Sequence, residues 1–405
     1  MQSPGKIVVA SQHYPPDPST TAAIMAEIAC RLATGHEVVV LSGSPGALPA
    51  SQTGSGKPRI VAIKNRMTGK AALVRRGAAE LLFAARTFLA LMRELRPGDV
   101  VVTVTAPFML PYASVAAARL KGARSVLLMH DLYPDVLVMS GFLKPASIVT
   151  RAIRCANAMM FRALDIVITI GRDSERLLLS YKGLTPDKLR FIPNWATLAP
   201  GIRPVEPLNP FRRALPARFV VGLSGNLGFT HDPLIVFEAA RSLRDEAQIH
   251  FLLSGWGLGF ETLKQLQAEA GLPNVTLVER VADGDLEQFL SAADVWLIPY
   301  RANVAGVSVP SRFYNLLAAG RPVILVSEPE AEAALIVAEG NLGWVVKPGE
   351  PGDLAEAIRV ASRTGISPMA ARAVAAAGNF ARDRAMTDYR RVAAELLRRS
   401  EGDLS

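Results

Sequence analysis

The chain has 405 residues, half of them apolar and a fifth charged, with a formal net charge of +9. That length supplies core for two domains of ordinary size, and the composition excludes a disordered or fibrous chain. Two cysteines and five histidines, at no metal-ligand or redox spacing, exclude a disulfide-stapled fold and argue against a metal centre. Cys30 and Cys155 read as two reduced core thiols of a cytosolic protein. The positive charge points to an anionic partner, whether phosphate, nucleic acid or an acidic membrane.

No signal peptide is expected, because the apolar run at 7–10 is short and is followed by Tyr14-Pro-Pro-Asp17. The uncharged stretch 100–118 is long enough to raise the membrane question, but Pro107 and Pro111 interrupt it. It reads as a buried strand followed by a small-residue helix.

Strands are predicted at 6–11, 36–42, 59–64, 99–105, 124–130, 164–170 and 188–192. Helices fall near 20–33, 71–95, 112–121, 147–161 and 173–181. Most of the strands are unbroken Val/Ile/Leu runs, expected when helices cover both faces of a parallel sheet. The pattern is a doubly wound α/β domain, whose ligands bind beyond the carboxyl ends of its strands. Pro193, Pro200, Pro204, Pro207, Pro210 and Pro216 then punctuate a stretch that reads as an interdomain linker.

The alternation restarts with strands at 219–224, 248–254, 275–278, 295–299, 322–326 and 343–346. Helices are expected near 233–243, 260–270, 283–292, 311–319, 330–338 and 353–361, then at 368–379 and 381–399. This is a second domain of the same class. Two such domains facing each other leave a cleft lined by strand ends from both.

Within the second half the stretch 304–323 draws attention. Ala305, Gly306 and Ser308 lead into Pro310, Ser311 and a short helix. Such a loop lets backbone N–H groups approach a ligand, and the helix start presents its positive end. Pro suits the first helical turn because it has no N–H to lose. Arg312 adds a cationic fork, so a diphosphate is the natural guest. An ordinary strand–loop–helix joint is the plain alternative.

At this point the motifs resemble a known family, the retaining nucleotide-sugar glycosyltransferases of family 4 with the GT-B fold. The residues carrying the resemblance in the first half are Tyr14-Pro-Pro-Asp17, His130-Asp-Leu-Tyr-Pro-Asp135 and Ile192-Pro-Asn-Trp195. In the second half they are Leu223-Ser-Gly-Asn-Leu-Gly228, Leu253-Ser-Gly-Trp-Gly257, Ala292-Ala-Asp294, Pro310-Ser-Arg312 and Leu317-Ala-Ala-Gly-Arg-Pro-Val323. Their order and spacing cover nearly the whole chain, and the likeness is nearest the exopolysaccharide and O-antigen branch.

The resemblance implies two Rossmann-like domains facing across a cleft. Residues 1–200 would hold the acceptor, 201–217 would link, and 218–381 would hold the donor. The last helix, about 382–405, would cross back to the first domain. It also implies transfer of a hexosyl or N-acetylhexosaminyl group from a UDP-sugar to a glycan or lipid-linked acceptor hydroxyl. No cofactor and no metal ion are expected, and the setting would be cytoplasmic, at the inner face of the membrane.

By the same resemblance His130 and Arg312 are the catalytic candidates, His130 orienting the sugar and Arg312 holding the departing diphosphate. Donor contacts fall on Ser224, Gly225, Asn226, Leu227, Trp256, Glu279, Arg280, Ser308, Val309, Pro310, Ser311 and Asn315. Acceptor contacts fall on Tyr14, Asp17, Ser19, Thr20, Asp131 and Asp135. Ser19 also reads as a helix cap, and Asp131 and Asp135 as caps for the next helix.

The sequence departs from the family pattern in two places. Phe229, Thr230, His231 and Asp232 stand where relatives often carry an arginine and a lysine. Val307 and Asn315 replace the usual glutamate pair, leaving an amide for the ribose hydroxyls and the Ser308 and Val309 N–H groups for phosphate. These departures keep open a non-catalytic nucleotide-sugar-binding subunit, and the architecture keeps open a nucleotide-sugar epimerase.

Basic and apolar residues interleave in two helical stretches of the first half. One combines Arg66, Lys70, Arg75, Arg76, Arg86 and Arg93 with leucines and phenylalanines. The other places Lys144, Arg151, Arg154 and Arg162 around Met159, Met160 and Phe161. Both suit an anionic membrane interface, or equally a pair of domain helices with solvated basic faces. Nucleic acid is not an expected partner, because no aromatic–basic stacking surface is present.

Overall fold

The β-branched runs of the first half pair as parallel strands, which their unbroken apolar character requires. The computed structural model describes residues 5–17, 19–44, 56–65, 73–206, 208–216 and 218–403. The chain divides into two units: Met1–Pro134, Lys144–Pro193 and Asp383–Ser405 form the first, and Asp135–Leu143 and Asn194–Arg382 the second.

The first unit runs β1 (Ile7–Ser11), α1 (Thr20–Ala33), β2 (Val38–Ser42), β3 (Arg59–Ala62), α2 (Leu73–Glu94), β4 (Val100–Val104), α3 (Leu110–Lys121) and β5 (Arg124–Met129). The short helix α4 (Asp135–Met139) interrupts it and is counted with the second unit. The chain then continues through α5 (Ile148–Ala163), β6 (Ile166–Thr169), α6 (Ser174–Leu179) and β7 (Leu189–Phe191). The sheet order is β3-β2-β1-β4-β5-β6-β7, parallel throughout. Strand order therefore reverses between β1 and β4, which opens a crevice at their carboxyl ends. Ser19 caps α1 by accepting from Ala22 N at 3.2 Å, and Gly122 ends α3 in the left-handed conformation.

The second unit runs β8 (Phe219–Asn226), α7 (Pro233–Ser242), β9 (Ile249–Trp256), α8 (Leu258–Ala270), β10 (Val275–Val278), α9 (Leu286–Leu290), β11 (Val295–Pro299) and α10 (Ser311–Ala318). It closes with β12 (Val323–Val326), α11 (Glu332–Gly340), β13 (Gly343–Val346), α12 (Pro351–Thr364) and α13 (Ser367–Ala377). Its parallel sheet has the order β10-β9-β8-β11-β12-β13, so the reversal falls between β8 and β11. One core cluster lies on each side of this sheet, the first holding Phe251, Phe260 and Leu354, the second Phe289, Trp296 and Phe313.

The final helix, α14 (Arg382–Asp403), packs into the first unit. Arg31 pairs with Asp383, and Arg190 reaches Glu395 at 3.0 Å. Tyr389, Met386 and Leu396 are buried beneath it.

The described residues of the proline-punctuated stretch, 201–206 and 208–216, correct the linker expectation, because they are strapped to the second unit. Gly201 N donates to Ala318 O at 2.9 Å, and Arg212 pairs with Asp294 at 2.8 Å. Asn209 Nδ2 donates to Gln288 O at 2.8 Å, and Arg321 reaches the Arg203 carbonyl. The reason is electrostatic: Arg203, Arg212 and Arg321 find carbonyls and carboxylates along one edge, so the prolines shape a strap and not a free tether. The unit boundary lies between Pro193 and Asn194.

Asp294 is the anchor of that strap, accepting from Val220 N at 2.6 Å as well as from Arg212. Asp294→Ala removes the carboxylate partner of Arg212, which keeps the Ala292 and Arg218 carbonyls, and leaves the Val220 N–H without its acceptor; it is expected to cost about 2 kcal/mol. Urea unfolding monitored through the tryptophans checks it; an unchanged midpoint contradicts the strap.

Candidate active site

The second unit's site begins at the end of β8. Ser224, Gly225 and Asn226 lie opposite Ser254, Gly255 and Trp256 of β9. Gly225 has φ +105°, and a Cβ there would sit 2.8 Å from the Arg312 Cζ. A Cβ on Gly255 would sit 2.4 Å from Gly225 O. Both glycines are therefore required by close approach, and Gly225 by conformation as well.

Arg312 reaches this corner from the first turn of α10, across the reversal between β8 and β11. Its Nη1 donates to Ser224 O and its Nη2 to Asn226 O. Burial pushes the guanidinium down to about 10, with the Tyr300 hydroxyl acting in the opposite sense, so it stays cationic at neutral pH. Pro310 precedes the helix and supplies no side-chain cap, so the first-turn N–H groups keep their positive end uncapped by a side chain. Ser308, Val309 and Ser311 are half-buried around it and Pro310 is buried.

His231 completes the corner, and the sequence reading did not single it out. The loop after β8 is stitched to the end of β11: Asp232 N donates to Pro299 O at 2.8 Å and Arg301 N to Thr230 O at 2.9 Å. This presses the His231 ring on Tyr300, with centroids 5.0 Å apart. Its Nδ1 pairs with Thr230 Oγ1 at 3.0 Å while Nε2 is buried without a partner. Burial, then the charges of Arg312 and Arg301, hold this imidazole well below its ordinary range. It is neutral. A polar residue six places after the β8 glycine is the signal that marks the position.

Trp256 and Arg280 meet at the ends of β9 and β10, the guanidinium 4.6 Å from the ring centroid, and both are exposed. Glu279 pairs with Lys264 at 2.8 Å, while its carbonyl accepts from Ser254 Oγ. Leu227 is fully buried, its N–H donating to Trp256 O at 2.8 Å, so its side chain is scaffold. Asn315 is placed differently from its expected ribose role. Its Oδ1 accepts from Thr197 N at 2.7 Å, Thr197 Oγ1 at 3.1 Å and Leu198 N at 3.3 Å, which pins the chain segment ahead of the strap.

In the first unit His130 directly follows β5. Thr105 Oγ1 accepts from His130 N at 3.2 Å and Asp131 N at 3.3 Å. His130 Nε2 is buried without a partner, and burial pushes the imidazole down to about 4. Asp131 lines a small pocket with Thr105, Phe108, Tyr112 and Tyr133. Asp135 is buried at the start of α4, counted with the second unit.

The residues after β1 serve local structure. Tyr14 is fully buried with Cys30 beside it, and its hydroxyl is pushed far up by burial; its side chain belongs to the core and not to an acceptor surface. Asp17 accepts from His13 Nδ1 at 2.6 Å and Ser19 N at 2.8 Å. Burial raises its pKa, but these bonds outweigh it and hold the carboxyl below its ordinary value. Ser19 is occupied as the α1 cap, and Thr20 is exposed at the first helical position.

A family model described as "Glycosyl transferases group 1" matches residues 218–363, and one described as "Glycosyl transferase 4-like domain" matches residues 19–195. A Pseudomonas aeruginosa protein named as a glycosyltransferase, WbjE, is 30% identical over 294 residues, covering 72% of this chain and 73% of that protein. The chain belongs to the glycosyltransferases. Escherichia coli WcaI, named for colanic acid biosynthesis, is 27% identical over 62% of this glycosyltransferase and 63% of its own length. Among solved structures, the sucrose-phosphate synthase of Thermosynechococcus elongatus aligns with TM-score 0.73 at 16% identity, covering 97% of this chain and 99% of that one. Anabaena HepE in complex with UDP-glucose aligns with TM-score 0.68 at 18% identity, covering 97% and 99%. These likenesses establish the fold, two Rossmann-like α/β domains.

Burial holds three histidines of this glycosyltransferase, His130, His231 and His250, below their ordinary range, and they contribute to its response to acid. An imidazole whose folded pKa is depressed costs nothing above its unfolded value near 6.5, and stability is lost as pH falls from there toward the folded value. Thermal unfolding is expected at lower temperature at pH 5 than at pH 7. His231→Gln is expected to flatten part of that slope; an unchanged slope contradicts the neutral assignment.

Proposed function

We propose that this glycosyltransferase moves a hexosyl or N-acetylhexosaminyl group from a UDP-sugar to a hydroxyl of a glycan or lipid-linked acceptor, with retention, in building a bacterial surface polysaccharide. The single observation that carries the donor reading is the Arg312 guanidinium held against Gly225 at the reversal between β8 and β11. A cation, a glycine-lined backbone and an uncapped helix start converge there, the combination that suits a diphosphate. The relative named for colanic acid biosynthesis and the UDP-glucose complex of HepE support the choice of pathway class and donor.

In this reading the bond from the anomeric carbon to the diphosphate oxygen breaks, and the electron pair leaves with the diphosphate. The acceptor oxygen bonds the same carbon from the same face, and its proton passes to the departing phosphate. Arg312 and the α10 N–H groups stabilise the developing charge, so no metal ion is invoked. His130, a neutral imidazole with Nε2 unpartnered, takes a hydrogen bond with a sugar hydroxyl and fixes the donor's orientation. The exposed Trp256–Arg280 stack offers a flat surface to the base. Reaction at the inner face of the cytoplasmic membrane is the setting for a lipid-linked acceptor.

Titration calorimetry with UDP tests the site. Arg312→Lys keeps a charge but loses the two-pronged contact, and is expected to weaken UDP binding about tenfold, from roughly 1.5 kcal/mol per charge-assisted bond. Wild-type affinity in that variant removes the diphosphate role. His130→Ala is expected to lower kcat about a hundredfold with UDP affinity unchanged, the size of a lost transition-state hydrogen bond; loss of UDP binding instead contradicts a sugar-positioning role.

A further inference from the structure

The helices α2, α3 and α5 connect β3 to β4 to β5 to β6, a progression in one direction across the sheet. Right-handed crossovers put such successive helices on the same face, and α2 packs on α3 and α3 on α5. They form one outer layer of the first unit.

A surface helix of a globular domain turns polar residues outward. The layer does the opposite. On α2 the buried row is Phe83, Thr87 and Leu91, and the row two residues away, on the opposite side of the helix, is Leu81, Ala85 and Leu89. Leu81 and Leu89 are 55% and 56% exposed, and Leu82 is exposed beside them. On α5 the outward row is Ile148, Ala152, Cys155 and Met159, with Ile148 86% and Met159 71% exposed.

The charges around these rows have one sign. Neither α3 nor α5 contains an acidic residue, and both end on cations, Lys121 and Arg162. Arg151 and Arg162 are exposed along α5, and Arg93 at the end of α2. Of the two glutamates of α2, Glu94 is held by Lys6 and Arg59, and Glu80 is half-buried. Of the basic residues that drew attention in the sequence, Arg66 and Lys70 lie outside the described residues, as do the side chains of Arg75 and Arg76.

We propose that this layer is a membrane-docking face: the apolar rows of α2 and α5 enter the interface of an anionic bilayer while the arginines pair with lipid phosphates. Charge complementarity selects that occupant, since a second copy of the chain would oppose arginines to arginines. Among the described residues no helix is long and apolar enough to cross a membrane, so the contact lies in the interface plane. The inference rests on the membrane setting proposed above and assigns it to the outer helix layer of the first unit.

The test is co-sedimentation of the full chain with vesicles of phosphatidylcholine alone or mixed with phosphatidylglycerol. Binding is expected to the mixed vesicles only. Leu81→Ser with Leu82→Ser and Leu89→Ser, all at exposed positions, is expected to lower the partition coefficient at least tenfold with thermal unfolding unchanged. Arg151→Gln with Arg162→Gln is expected to lower it roughly fivefold per charge. Wild-type protein left in the supernatant with both vesicle types overturns the proposal, as does a triple serine variant that binds as well as wild type. A wild-type dimer that the serine substitutions turn into a monomer, read by sedimentation velocity without lipid, overturns it in favour of a protein interface. UDP calorimetry on the same samples separates the two readings. Retained UDP binding without vesicle binding removes only the docking face, and the converse removes only the donor reading.

Discussion

The contact between the Arg312 guanidinium and the backbone of Ser224–Asn226 organises the second domain. A planar cation is held flat against a glycine because no Cβ fits between them. The two carbonyls that accept from it fix both the end of β8 and the start of α10, so the helix dipole and the cation share one corner. A largely desolvated charge of this kind is costly unless its donors are satisfied. Here backbone carbonyls satisfy two of them. The rest of the corner follows: Gly255 must be small to pass Gly225, and the loop carrying His231 must fold over toward Tyr300.

Both domains place a neutral histidine at the carboxyl end of a parallel sheet, His130 after β5 and His231 after β8, each with Nε2 buried and unpartnered. An imidazole in that state exchanges hydrogen bonds with hydroxyls or phosphate oxygens without carrying charge of its own. For His231 that suits a corner whose cation, Arg312, is already present. Burial is the leading cause of both shifts, and for His231 the neighbouring arginines add to it.

The strap of 201–217 and the layer α2–α3–α5 show how arginine is used away from that corner. Arg203 and Arg212 of the strap, and Arg321 reaching it from the turn after α10, are spent on carbonyls and carboxylates, converting a proline-rich segment into part of a domain. In the layer, arginines stand beside outward leucines on helices nearly free of acids, which leaves their charge for a partner outside the chain.

Much of this architecture was legible in the residues. Unbroken Val/Ile/Leu runs separated by helical periods specify parallel sheets covered on both faces, because nothing else buries such runs, and almost every strand and helix falls where that pattern puts it. The pairing of the glycine loop at 224–226 with Arg312 was legible through the family resemblance, which set both against one diphosphate. The roles of Tyr14, Asn315 and the prolines of 201–217 were not. Tyr14 reads as a polar loop residue until the fold closes over it, and Asn315 offers a free amide until Thr197 arrives from more than a hundred residues away. Pattern and period are local properties and are fixed by the sequence. Which donor meets which acceptor, and whether an apolar row faces the core or the solvent, depends on contacts between distant segments that only the folded chain decides.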